Sequence, residues 1–321
     1  MAAHIHFWIA AGDTKSCVHT NMEGEAPPTG KVCIFVHYDG GGVVHRHSRR
    51  YIDALLAEGF CIAFVTNSGI TRESLDYLSG RCIRIILRDN RGYDFGAYRD
   101  GILNLGIELE CLSMLVLAND SVYAPLSPLA GLFDKMDFAS ADVWGATDSW
   151  QKRYHLQSYL VAFGPAALTH PAFSEFWRGV RNVRSKWAVV KHYEIGLTPA
   201  MQAAGLRCAA AFHYQALIRH AQAIVEAESP PPSHAMANLI RAAAERALHA
   251  AARRSASNPV IDLWLLLADA GGPFIKRELL RDDPTRVPDL FAWHRIMQDR
   301  APDLYRDVMD DLKRVMRRSA P

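Results

Sequence analysis

The 321-residue sequence predicts an α/β fold, a largely parallel sheet covered by helices on both faces and followed by a helical extension. Three observations carry this. Short, unbroken apolar runs rich in β-branched residues recur at 31–38, 60–65, 82–87 and 113–118, and a strand buried on both faces reads as such a run rather than as an alternation. Between the first two, Tyr51, Ile52, Leu55 and Leu56 recur at helical spacing, completing a strand–helix–strand unit. Three of the runs also close on polar or glycine residues, at 39–42, 66–69 and 119–121.

Residues 1–30 end in EAPPTG, a proline and glycine punctuation that sets off an N-terminal leader. The main domain then runs over 31–225, with further strands at 142–146, 156–163 and 206–212 and helices at 173–183 and 198–204. The second of these helices would open at Thr198 with Pro199 in its first position. ESPPPSH at 228–234 breaks the chain, so 226–321 reads as a helical C-terminal extension with helices at 235–254 and 301–318.

Composition narrows the function classes. Half the residues are hydrophobic and 22% charged, the balance of a compact fold rather than a disordered chain. A net charge of +2 gives no global reason to bind nucleic acid. The six cysteines lie singly with no CxxC pair, which favours reduced thiols in a reducing compartment. The N-terminus lacks a basic leader, and no apolar run approaches the ~20 residues a membrane span requires. These features place the protein in the cytoplasm, with the inner membrane surface as a contact open to it through Arg241, Arg246, Arg253 and Arg254.

Candidate chemistry lies at several places along the chain. RDNRGYDFGAYRDG at 88–101 offers glycines whose backbone could approach phosphate, and Arg91 or Arg99 could supply charge to a diphosphate; an ordinary strand-to-helix turn with its arginines paired to Asp94 and Asp100 explains it equally well. Asn119 and Asp120 follow an apolar strand, so their side chains would project from its carboxyl end, where Asp120 could hold Mg²⁺ or Mn²⁺; capping of the next turn is the plainer explanation. Glu194, ahead of the 198–204 helix, could take a proton from an acceptor hydroxyl, or be a surface carboxylate. His155, Gln157 and Ser158 could meet a sugar hydroxyl. The HxH pairs His4/His6 and His45/His47 lack further ligands at a zinc spacing. GxSxG, P-loop, HExxH and GxGxxG motifs are absent.

The series FVHYD (35–39), RDNRGYDFGAYRDG (88–101), LANDSVYAPLSPL (117–129), DVWGATDSW (142–150), HLQSYLVAF (155–163), HYEIGLT (192–198) and NPVIDLW with PFIKRELLRDDP (258–284) resembles the bacterial rhamnan synthesis protein F family of glycosyltransferase-like proteins. The resemblance implies a GT-A-like, Rossmann-type mixed sheet flanked by helices, with 31–225 as a nucleotide-sugar-binding catalytic domain. It implies transfer of rhamnose or a related deoxysugar from a dTDP-, GDP- or UDP-linked donor to a polysaccharide or lipid-linked acceptor. On that analogy His37, Tyr38 and Asp39 line the nucleotide with Thr66 and Asn67 beside them, and Asp94 and Arg99 border the donor. Asn119 and Asp120 replace the usual Asp-x-Asp as the divalent-cation site, and Glu194 takes the base position. Having one carboxylate in AsnAspSer departs from the family pattern. That departure favours the alternative of a noncatalytic sugar-nucleotide or glycan-binding scaffold; a methyltransferase using 39–42 as its cofactor loop is a third reading.

Overall fold

The computed structural model describes residues 12–231 and 233–319. Its main sheet has nine strands in the order β1-β4-β3-β2-β5-β9-β7-β10, with β8 paired to β7. The strands are β1 (Val18–Glu23), β2 (Lys31–His37), β3 (Cys61–Thr66), β4 (Cys82–Arg88), β5 (Met114–Asn119), β7 (Val143–Ser149), β8 (His155–Leu156), β9 (Leu160–Phe163) and β10 (Cys208–Phe212). Two short strands, β6 (Val122–Tyr123) and β11 (Ile275–Lys276), make a separate antiparallel ribbon. β4, β3, β2 and β5 are parallel neighbours. β9 runs antiparallel between β5 and β7, so the sheet is mixed.

The unbroken apolar runs are doubly covered. In β2, Cys33 and Phe35 face one core while Val32, Ile34 and Val36 face the other, all at 1% exposure or less. Phe35 meets Tyr51 of helix Arg46–Ala57 edge-on at 5.3 Å. Phe95 of helix Tyr93–Leu103, on the opposite face, stacks on Trp177 at 5.7 Å.

Several expected boundaries move. Within the leader, β1 pairs antiparallel to β4, so residues 18–23 belong to the sheet. The strand expected over 156–163 is two, because β8 pairs with β7 while β9 sits between β5 and β7. Helix Ile195–Ala203 does not open at Thr198, and Pro199 lies inside it. The ring removes the amide that Ile195 O would have accepted, and Arg153 Nη2 donates to that carbonyl instead at 3.2 Å.

Residues beyond 225 share the first core rather than forming their own. Trp264, Leu266 and Phe274 are buried in it, and Phe274 contacts Tyr51 at 5.7 Å and Tyr159 at 5.3 Å. Two of the arginines considered for a lipid face are engaged internally. Arg241 donates to the Ile224 and Val225 carbonyls, closing helix Tyr214–Glu226, and Arg246 pairs with Asp289. Among the described residues no helix is long and apolar enough to cross a membrane, and the six cysteines are free.

Candidate functional site

β2 and β5 are adjacent and parallel, but the chain leaves β2 toward β3 on one side and returns to β5 on the other. Such a reversal opens a crevice beyond the strands' carboxyl ends. Asp120 N donates to Val36 O at 3.2 Å, so the two strand tails leave the sheet together. A cavity of about 640 Å³ lies there, and Tyr38, Asp39, Asp94, Asn119, Asp120 and Glu194 all line it. Gln157 and Ser158 join them, whereas His155 does not.

The second wall comes from far along the chain. β11 pairs with β6, setting Lys276 opposite Val122, and Arg277 N donates to Ser121 O at 3.0 Å. Lys276 Nζ donates to Ser121 Oγ at 2.9 Å. Arg277 Nη1 donates to Asp120 O at 3.0 Å and lies 3.4 Å from its Oδ2, while Nη2 donates to Asp311 Oδ2 at 3.0 Å. Asp311, 3% exposed, also accepts from Tyr123 Oη at 2.7 Å and from Arg314. Burial favours its neutral form, but these donors and the surrounding cations hold its carboxyl well below the usual range. Arg314 Nη1 reaches Asp39 Oδ1 at 3.2 Å, bringing helix Pro302–Ser319 onto the tail of β2.

Within the cavity, burial and then the Asp120 charge push the Asp94 carboxyl up to about 6, with Lys276 opposing. Asn119 Nδ2 donates to Asp94 Oδ2 at 3.0 Å, and Asn119 Oδ1 accepts from Ser121 N at 3.1 Å. Asn119 therefore links the acid to the turn that Lys276 holds. Burial pulls the Lys276 amine down, while Glu194 and Asp94 push it up, so these three groups sense one another. Glu194 stands at the end of a widened helical turn, Val190–Glu194.

Other predicted site residues lie elsewhere. His37 is buried and does not line the cavity; its Nδ1 is 3.2 Å from Thr66 Oγ1, and burial pulls its pKa down. Asn67 accepts from Arg88. Neither Thr66 nor Asn67 lines the cavity. Arg91 pairs with Asp13 at 2.9 Å. Arg99 is fully buried, its guanidinium on Asp100 at 2.7 Å and on the Val180 and Lys15 carbonyls at 2.8 Å. Neither arginine lines the cavity, and the glycines between them are closely packed. A Cβ on Gly92 would come within 2.7 Å of Asn182 Oδ1, and one on Gly96 within 2.8 Å of Arg91 O. Gly92 N is already given to Val183 O at 3.2 Å, so the loop serves close packing rather than a phosphate cradle. Tyr93, Asp94 and Phe95 are what this segment contributes to the cavity.

The donors fit a divalent cation poorly. Among the described residues no group of three or more His, Cys, Asp or Glu is placed to hold an ion. Asp120 is engaged by Arg277, and Asp94 carries the raised pKa of a crowded acid. His45 is 3.2 Å from Asp39 and His47 is buried against Tyr123, so this HxH pair is not a metal site; His4 and His6 lie outside the described residues.

Sequence reasoning missed Lys276, Arg277, Asp311 and Arg314. A signal was present in PFIKR, a short strand-forming run that ends on two adjacent cations.

A family model described as rhamnan synthesis protein F matches residues 62–230, more than half of the chain. The chain belongs to the rhamnan synthesis protein F family. Among its relatives, virulence protein VirA of Vibrio anguillarum is 30% identical over 266 residues, covering 81% of this chain and 83% of VirA. The uncharacterized protein y4gN of Sinorhizobium fredii is 31% identical over 194 residues, 59% of this chain and 50% of that one. Among solved structures, the mannosyltransferase PcManGT from Pyrobaculum calidifontis, in complex with GDP-Man and Mn²⁺, aligns over 97% of this chain and 92% of its own. Its identity of 12% and TM-score of 0.30 leave it without weight for this family member's site.

Proposed function

We propose that the protein is a glycosyltransferase that moves a sugar, rhamnose or a related deoxysugar, from a nucleoside diphosphate donor to a cell-surface polysaccharide or lipid-linked acceptor at the cytoplasmic face of the inner membrane. Membership of the rhamnan synthesis family supports the polysaccharide context. The observation that carries the chemistry is the meeting of Lys276 and Arg277 with Asp94, Asp120 and Glu194 in one cavity at the carboxyl ends of β2 and β5. Cations fixed by hydrogen bonds suit a diphosphate leaving group, because their orientation is set before reaction. The exposed rings of Tyr38 and Tyr93 offer flat apolar faces to a nucleobase.

In the proposed step Glu194 accepts the proton of an acceptor hydroxyl. That oxygen attacks the anomeric carbon as the carbon–oxygen bond to the diphosphate breaks. The bonding pair leaves with the diphosphate, whose charge the cations meet, and attack from the opposite side inverts the anomeric centre.

The test is mass-spectrometric detection of donor consumption and glycosylated product from dTDP-, GDP- and UDP-sugars, with membrane-derived acceptor, comparing wild type with Glu194→Gln. Donor-specific product that disappears in the variant supports transfer. Binding of a donor without turnover on any acceptor would favour a noncatalytic scaffold instead.

A further inference from the structure

We infer that the departing diphosphate is neutralised by a fixed set of side-chain cations, Arg277 foremost with Lys276 and Arg314, in place of a divalent metal ion. The inference rests on the donor-binding reading above and concerns how that site handles charge.

Arg277 occupies the position from which a cation would serve Asp120. Its Nη1 is 3.0 Å from the Asp120 carbonyl and 3.4 Å from the carboxylate Oδ2, two of the three oxygens that this residue could offer a metal. A hard cation there would have to displace a guanidinium held from several sides. Nη2 is bound by Asp311 at 3.0 Å, and the guanidinium lies 5.7 Å from the Tyr123 ring centroid. The backbone amide of Arg277 is committed to Ser121, and the preceding residues are in the β6–β11 ribbon. Moving Arg277 aside breaks a charge-assisted bond to a carboxylate that is 3% exposed, a costly way to admit an ion.

The same network aims the cations. Asp311 joins Arg277, Arg314 and Tyr123, and so ties β6, the β11 arm and the C-terminal helix at one point. Arg314 and Lys276 line the cavity with Arg277, and the Lys276 ammonium has Ser121 Oγ as its hydrogen-bond partner. An ammonium on a neutral hydroxyl keeps two donor hydrogens for a ligand. Asp311 is therefore a positioning residue for the cationic wall.

The experiment is calorimetric titration of the full chain with UDP, GDP and dTDP, in EDTA and again with Mn²⁺, beside electron paramagnetic resonance of Mn²⁺ with protein alone. The expected result is a nucleoside diphosphate that binds equally well in EDTA, with no Mn²⁺ uptake by the protein. Arg277→Gln should weaken that binding roughly ten- to hundred-fold, and Arg277→Lys should recover part of it. Because Arg277 sits in a buried network, Lys276→Gln serves as a second variant, with a weakening of about ten-fold at unchanged melting temperature. Binding that requires Mn²⁺, or Mn²⁺ uptake lost in Asp120→Asn, would overturn this inference while leaving the donor site standing. Absence of binding under every condition would overturn both.

Discussion

Arg277 reaches back across 157 residues of sequence to donate to Asp120 at 3.0 Å, closing the C-terminal arm over the tail of β5. Through this contact, residues of the C-terminal extension take part in the cavity. The β11 ribbon and helix Pro302–Ser319 build one wall of the cavity, and the strand tails build the other. Removing the arm would leave Asp120 without its Arg277 partner and take away the cations proposed to meet the diphosphate.

Glu194→Gln should reduce turnover by about 10²–10⁴-fold, the span attributed to a general base, while leaving donor affinity within a few-fold of wild type. The amide keeps the shape of the side chain but cannot take the proton. Single-turnover assays beside donor titration check this. Equal turnover in the two proteins would remove Glu194 from the reaction.

Arg99→Met should cost about 1.5–3 kcal/mol of stability and leave donor affinity per folded molecule unchanged. Arg99 and Asp100 are both fully buried, so the change strips one charge-assisted partner from a buried carboxylate and leaves it with Arg88 at 2.9 Å. Denaturant unfolding and calorimetric titration read the two quantities separately. Lost affinity at full stability would return Arg99 to the donor site.

The sheet was legible because its physics is local. Doubly buried strands need unbroken apolar runs, and those at β2, β3, β4 and β5 announced themselves together with the polar tails at 39 and 119–121. Asp94, Asp120 and Glu194 could be named because acids placed at strand ends or helix starts are few. Pairing of Arg99 with Asp100 was one of the two readings of 88–101, but the choice between them was not legible, since the other partners, Asp13 and the Lys15 and Val180 carbonyls, lie beside the arginines only after folding. The arm's residues were hidden for the same reason. Nothing local to Lys276 or Arg277 tells that β11 will pair with a two-residue strand next to Asp120.

Asp94→Asn should raise stability in alkaline buffer and leave it unchanged in acid. The folded-state pKa of about 6 stands above the ordinary 3.8, so the fold prefers the protonated acid. The stability linked to that proton is fully present below about 3.8 and is lost as pH rises through about 6. Asparagine keeps an acceptor for Asn119 and carries no charge, giving up to about 3 kcal/mol at pH 8 and about zero at pH 4. Thermal unfolding across this range checks the sign, and a gain confined to acid would contradict it.

Tyr38→Ala should weaken nucleotide binding by roughly ten-fold or more, in line with about 1–3 kcal/mol for a base stacked on an aromatic ring. Tyr38 is 52% exposed, so its loss should cost little stability. Tyr93, 37% exposed, is held at a left-handed φ of 52° with its hydroxyl on Arg184 O at 3.1 Å. Such a backbone is retained against a cost of about 1–3 kcal/mol, and Tyr93→Gly should relieve it while weakening the same ligand. Paired titration and melting curves separate the two effects.

The most direct test of the account is a crystal structure of the full chain with a nucleoside diphosphate sugar bound. Diphosphate oxygens should lie within hydrogen-bonding distance of Lys276 and Arg277, and the base against Tyr38 or Tyr93. Glu194 should face the anomeric carbon. A diphosphate seated instead on the 88–101 glycines, or carried by a metal ion on Asp120 with Arg277 displaced, would contradict it.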